Sequence, residues 1–349
     1  MEKQRIEWLD FLKGIGIILV IVGHSFRDKM LMDSFIADFI YSIIYVFHMP
    51  LFFAVSGYLF KINYNKYVNE KPRKFLILKS NTYLYPFCGY TILIYIFVLL
   101  INQIDSLREM LNDTSMRLVT FPSYIRLALE CNNPYAFHLW FLFGIFIILV
   151  FVFFAAKLEH RFSAKEGSLI LGISFVLWNV RIFFAGDWVM ILKILLKYPI
   201  FFAVGMFYEK WEQRKSKGYI IISILSWLYC ILYVLKIFNG STGVMWYLKN
   251  VVLLCSTIII IDNFFSLSNR IKFFKPLNIL GQKSMYYYLF HQPFCCGLLG
   301  ALLYQKMEFS IIVTCICCII ASILFPWLLI KLKSKSIMFN KILRLFVGV

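Results

Sequence analysis

The sequence predicts an all-α, polytopic integral membrane protein of about ten transmembrane helices, with both termini in the cytoplasm. Three observations predict it. Of 349 residues, 61% are hydrophobic and only 15% charged, where a soluble protein carries roughly 45–50% and about 25%. The mean hydropathy is +0.77. The apolar residues also gather into windows of about 20, the length that spans the hydrocarbon core of a bilayer. The 37 Phe and 21 Tyr suit lipid contact and interfacial belts.

Each span has its own justification. The first, 8–26, contains DFLKGIGIILVIVGHS, an apolar run with Asp10 and Lys13 at its start and His24 at its end. No small-residue cleavage pattern follows, so a retained helix is expected rather than a signal peptide. The second, 35–60, contains FHMPLFFAVSGYLF. Pro50 removes an in-helix hydrogen bond and is expected to kink the helix just after His48. Ser56 and Gly57 let another helix come close. The third, 82–102, opens near YPF, and the fourth, 138–157, opens on FHLWFL, with Trp140 at the outer interface. Spans five to eight, 167–185, 188–208, 219–238 and 244–265, rest on length and apolarity. The ninth, 284–304, lies in LGQKSMYYYLFHQPF and repeats the pairing of histidine and proline at His291 and Pro293. The tenth covers 309–331. Residues 1–349 read as a single membrane domain with no soluble appendage.

Loop charges orient the bundle. Alternate loops and the termini hold 24 Lys and Arg on one side, against seven on the other, namely Arg27, Lys29, Arg108, Arg117, Arg126, Arg181 and Lys306. The basic side is expected to be the cytoplasm. Five further cations, Lys13, Lys193, Lys197, Lys236 and Lys249, sit in or at the ends of spans. This bias accounts for the net charge of +18 without nucleic acid. The nine cysteines lie mostly in apolar runs without histidines at zinc spacing. They read as small membrane hydrophobes, a disulfide or palmitoyl site being the lesser alternative, and no metal is expected. The longest outer loop, about 103–137, either covers a site or simply connects two spans.

Ionisable groups inside a bilayer are costly and usually functional. His160 falls in a basic cytoplasmic loop, whereas His24, His48, His138 and His291 fall near or within spans. Lys13 and His24 are eleven residues apart. At about 100° and about 1.5 Å per residue they share a helix face to within about 20° and lie about 16 Å apart along the axis. Asp10, one turn before Lys13, can pair with it. Blander readings stand beside these. Lys13 serves equally as a lysine snorkelling to the membrane edge, and His24 as a buried imidazole bonded to a backbone carbonyl. A carrier is the competing function: an exporter of carbohydrate or acyl donor whose histidines relay protons. The bunching of charge in the first helix and the lack of an inverted repeat weigh against it.

Taken in order over ten spans, DFLKGIGIILVIVGHS, FHMPLFFAVSGYLF, HLWFL and LGQKSMYYYLFH resemble the membrane-bound acyltransferase family 3, most of all its fucose 4-O-acetylase-like branch. The likeness covers nearly the whole chain. It implies an O-acyltransferase of the bacterial inner (plasma) membrane, surrounded by lipid. Its donor would be cytoplasmic acyl-CoA, often acetyl-CoA. Its acceptor would be a carbohydrate: surface polysaccharide, cell wall or a lipid-linked sugar. The first-helix signature of the family, a basic residue, ten residues and an essential histidine, falls on Lys13 and His24. The chain departs from the family twice. Lys13 stands where arginine is common, which implies a looser grip. LKSNTYLYPF carries Thr82, with its nearest charge at Lys79, in a region where members often have an arginine. Under this resemblance His24 is the general base, since a neutral imidazole accepts a proton. Lys13, oriented by Asp10, holds the CoA end, and Arg73 and Lys79 of the basic 61–80 loop attract its phosphates. His48, Ser56, Trp140, Tyr288 and His291 face the substrate, with helix packing the alternative for the Tyr286, Tyr287 and Tyr288 run.

Overall fold

A computed structural model describes residues 6–104, 118–183, 189–209, 218–239, 242–271 and 274–347. Among these residues the regular structure is helical and no strand occurs. Several basic positions used above, Lys3, Arg5, Arg108, Arg117, Lys272 and those of 210–217, lie outside the described residues. Among the described residues six helices are long and apolar enough to cross a membrane: Glu7–Ser25, Phe35–Ile62, Pro72–Ile101, Phe137–Arg161, Gly243–Arg270 and Ile311–Lys335. Ser168–Ile182 and Tyr219–Val234 are apolar but shorter. The all-α polytopic expectation holds, but two of the ten apolar segments are not single helices. The 188–208 segment divides into Met190–Lys197 and Pro199–Met206. Pro199 has no N–H to continue the first piece, and its fixed φ suits the first turn of the second. The 284–304 segment breaks at Gln292, with φ −129° and ψ 150°, the extended geometry that a residue before proline favours. Pro50, by contrast, lies inside a helix assigned without a break over Phe35–Ile62.

The chain forms two compact units. The first comprises Met1–Asn65, Ala155–Gly186 and Leu196–Ser284. Its first helix buries Leu9, Phe11, Leu12, Ile17, Val20 and Ile21. Trp8 packs edge-on against Tyr58 and Phe265, with ring centroids 5.1 and 5.8 Å apart. Lipid is as apolar as leucine, so helices in a bilayer associate through close backbone approach more than through apolar burial. Two junctions achieve this with glycine. A Cβ on Gly14 would run into the Leu277 backbone, and one on Gly281 into that of Asp10, so the first helix lies directly on Lys275–Gln282. Gly57 against Phe202 and Gly205 against Ala54 join the second long helix to Pro199–Met206 in the same way.

A buried carboxylate fixes another corner of this unit. Glu159 Oε1 accepts from the N–H groups of Leu169 and Ile170, at 2.7 and 3.1 Å. Its Oε2 accepts from the Gly167 N–H and the Tyr64 hydroxyl, at 2.8 and 2.9 Å. The first N–H groups of a helix have no partner within it, and here a side chain from the preceding helix supplies one for Ser168–Phe183.

The second unit comprises Lys66–Phe154, Asp187–Leu195 and Met285–Val349. The described part of the 103–137 stretch packs within it. Phe121–Leu129 is a short helix, and Tyr124 stacks on Tyr95 and Tyr135 with centroids 4.9 and 5.0 Å apart. The Tyr124 hydroxyl donates to the Thr91 carbonyl and accepts from Asn133 Nδ2, at 2.8 and 3.0 Å. Burial raises this phenol well above its ordinary range, and pushes the Cys131 thiol up to about 12. None of the nine cysteines forms a disulfide.

Candidate functional site

In the first unit the candidate side chains Asp10, Lys13 and His24 lie toward the two ends of one helix. Near its start, Lys13 Nζ pairs with Asp10 Oδ1 at 2.7 Å, the carboxylate buried and the ammonium 25% exposed. An i, i+3 spacing places the two on neighbouring turns of one face. A lysine has three N–H donors, so this pair leaves Lys13 the means to bind a further acceptor. At the opposite end His24 is half-buried, and its Nδ1 lies 3.4 Å from the Tyr45 hydroxyl. Tyr45 belongs to the second long helix. It stacks on Tyr41 at 4.0 Å and meets His48 edge-on at 4.6 Å, one turn along on the same face. His48 Nδ1 lies 2.8 Å from the Ile44 carbonyl. A carbonyl only accepts, so Nδ1 carries the proton, and in the neutral ring Nε2 keeps the lone pair.

Tyr45 also lines a cavity of about 650 Å³. Tyr41, Arg181, Lys197, Lys236 and Lys249 share its wall. Lys197 is within electrostatic reach of both His48 and Arg181. Lys249 Nζ donates to the Phe238 carbonyl at 3.1 Å and lies 5.1 Å from the centre of the Tyr233 ring.

The second unit carries a separate histidine group. The rings of His138 and His291 are 4.9 Å apart. The Tyr288 hydroxyl donates to the His138 carbonyl, and His291 Nδ1 lies 2.7 Å from the Tyr288 carbonyl. Tyr90 meets His138 edge-on at 6.2 Å and donates to the Gln292 carbonyl at 2.9 Å. The break at Gln292 turns a carbonyl away from the helix ladder, where a side chain can satisfy it.

The family model for the acyltransferase domain of acyltransferase family 3 matches residues 6–331. The chain belongs to that family. Two curated relatives, both described as nodulation protein NolL, come from Sinorhizobium fredii and Mesorhizobium japonicum. Each is 50% identical over 52 residues, which is 14% of this chain and 14% of the relative. No solved structure matches it.

In this member of the family the sequence-derived site residues fall into both units. The first unit holds Asp10, Lys13, His24, His48 and Ser56, and brings His24 and His48 together through Tyr45. Ser56 Oγ donates to the Phe52 carbonyl of its own helix at 2.9 Å. The second unit holds Arg73, Lys79, Trp140, Tyr288 and His291, and brings Tyr288 and His291 together with His138. Trp140 is buried at 8% exposure. Arg73 is exposed. Lys79 Nζ donates to the Tyr67 hydroxyl at 3.1 Å and lies over the Tyr67 and Phe75 rings. Tyr45 and the cavity cations were not among the predicted site residues. Three of those cations, Lys197, Lys236 and Lys249, were visible in the sequence as charges that no loop could claim.

Proposed function

We propose that this acyltransferase moves an acyl group, acetyl in the first instance, from cytoplasmic acyl-CoA to a hydroxyl of an extracytoplasmic or lipid-linked carbohydrate. The observation that carries this reading is the first helix. It holds an ion-paired lysine near one end and, at the other, a half-buried histidine whose Nδ1 faces a tyrosine hydroxyl. Loop charge places the lysine end inside and the histidine end outside. When His24 Nδ1–H donates to Tyr45, Nε2 keeps its lone pair and acts as the base. It takes the proton of the acceptor hydroxyl as that oxygen attacks the thioester carbonyl. Collapse of the tetrahedral intermediate breaks the C–S bond. The CoA thiolate leaves and recovers the proton from the imidazolium. Lys13, set by Asp10, holds the anionic end of the donor, and Arg73 and Lys79 draw its phosphates to the basic face. His48 and Ser56, in the same unit as His24, are assigned to the acceptor path.

The test is transfer of label from radiolabelled acetyl-CoA to glycans by purified protein in vesicles. His24→Ala should abolish transfer while the protein still folds. Glycan accumulation in sealed vesicles without acylation would instead establish the exporter. Lys13→Ala should raise the donor KM by about tenfold, the loss of one charge-assisted contact. An unchanged KM would leave Lys13 as a membrane-edge anchor.

A further inference from the structure

The cavity beside Tyr45 has more charge than a neutral sugar needs. Arg181, Lys197, Lys236 and Lys249 line one space, and none of its described lining residues is acidic. Among the described residues no carboxylate pairs with any of the four. Like charges held together between low-dielectric walls repel, and an anion placed among them relieves that cost.

The position sharpens the point. Lys197 and Phe201 come from the break between Met190–Lys197 and Pro199–Met206, and the rest of the wall is built from the start of Phe35–Ile62, the end of Ser168–Phe183, the end of Tyr219–Val234 and the start of Gly243–Arg270. Those are the helix ends that loop charge places outside, where Lys and Arg are otherwise scarce. The charge there is not part of the positive-inside bias and needs another reason. The remaining wall is aromatic. Tyr41, Trp178 and Tyr233 offer ring surface, and Tyr45 joins the cavity to His24. A volume of about 650 Å³ falls within the range of sites that enclose a small organic ligand.

We propose that this cavity is the acceptor subsite and that the acceptor is an anionic saccharide, its phosphate or carboxylate held by the four cations and its ring laid on the tyrosines. The inference rests on the acyltransferase reading of His24, and the experiment separates the two. The protein in nanodiscs is given inorganic pyrophosphate, a probe that carries no sugar, and binding is read by calorimetry. It is then given labelled acetyl-CoA with matched acceptors: a uronic-acid disaccharide and its carboxyl-reduced form, and a disaccharide 1-phosphate and its dephosphorylated form.

Pyrophosphate should bind, and Arg181→Gln and Lys236→Gln should each weaken it by about tenfold. One charged acceptor should be used with a KM about tenfold below that of its neutral twin, and the variants should narrow that gap to about twofold with the acetyl-CoA KM unchanged. Which pair shows the gap identifies phosphate or carboxylate. Lys236 is exposed, so its substitution spares the packing, and a melting curve checks both variants. Absence of pyrophosphate binding, or equal use of charged and neutral twins, overturns the proposal. So does a rise in acetyl-CoA KM in the variants, which would give the cavity to the donor. Variant-sensitive binding with no transfer to any acceptor overturns the acyltransferase reading of His24 and leaves the anion site standing.

Discussion

Tyr45 sets what His24 can do. Its hydroxyl and His24 Nδ1 are 3.4 Å apart, a long contact of the kind that tightens when a site is occupied. If the imidazole Nδ1–H donates a hydrogen bond to the phenol oxygen, the neutral ring keeps its lone pair on Nε2 and Nε2 is basic; if the phenol O–H donates to Nδ1, Nε2 carries the hydrogen and is not. The hydroxyl therefore positions the base without touching the reacting atoms. Tyr45→Phe keeps the stack on Tyr41 and the edge contact with His48 and removes the hydroxyl that faces His24. The expected result is a fall in kcat of about tenfold, a modest share of what general-base catalysis contributes, with the donor KM unmoved. A kcat equal to wild type would exclude the positioning role. The sequence showed His24 because a titratable group in an apolar run stands out. Tyr45 did not stand out, because one tyrosine among 21 in a chain rich in aromatics carries no signal.

The helices were legible as apolar windows, yet what fixes their ends was not. Residues 157–166 read as a plain basic loop, but Glu159 is almost fully buried there and serves four donors. Three of the partner groups are backbone N–H, which every residue but proline has, so no spacing rule in the sequence announces the contact. Gly167, at φ 83°, takes the left-handed conformation that glycine tolerates and lets its N–H reach the carboxylate. Glu159→Ala leaves three backbone donors of one helix start without this acceptor. Each such loss costs about 1–3 kcal/mol when water cannot replace it. The variant should unfold at a clearly lower temperature in detergent, and Glu159→Gln, which keeps one acceptor oxygen, should fall between it and wild type. Equal melting temperatures for all three would mean that the helix start is satisfied by solvent. The proline breaks at Pro199 and Pro293 belong to the same scale. Length and hydropathy gave two continuous spans, but a proline in a strongly apolar run does not lower hydropathy enough to mark the division.

Charge is the property that organises the whole molecule, and its sign pattern yields a test independent of any substrate. Lysine and arginine favour the cytoplasmic side of short loops. The basic loops at 61–80 and 266–283 and the tail from 331 are therefore predicted inside, and Lys29 and Lys306 outside. The chemistry depends on this direction: reversed, Lys13 would face away from cytoplasmic CoA, and the cationic cavity would open toward the nucleotide pool. Single cysteines placed at Lys29, Lys306, Lys71 or Lys335, all exposed, report the direction in a background without the nine native thiols. A maleimide that cannot cross the membrane should label the first two in intact spheroplasts and the last two only after lysis. The opposite pattern would place His24 at the cytoplasmic end and remove the separation of donor and acceptor on which the mechanism is built. Labelling of all four before lysis would show that the protein does not hold one orientation.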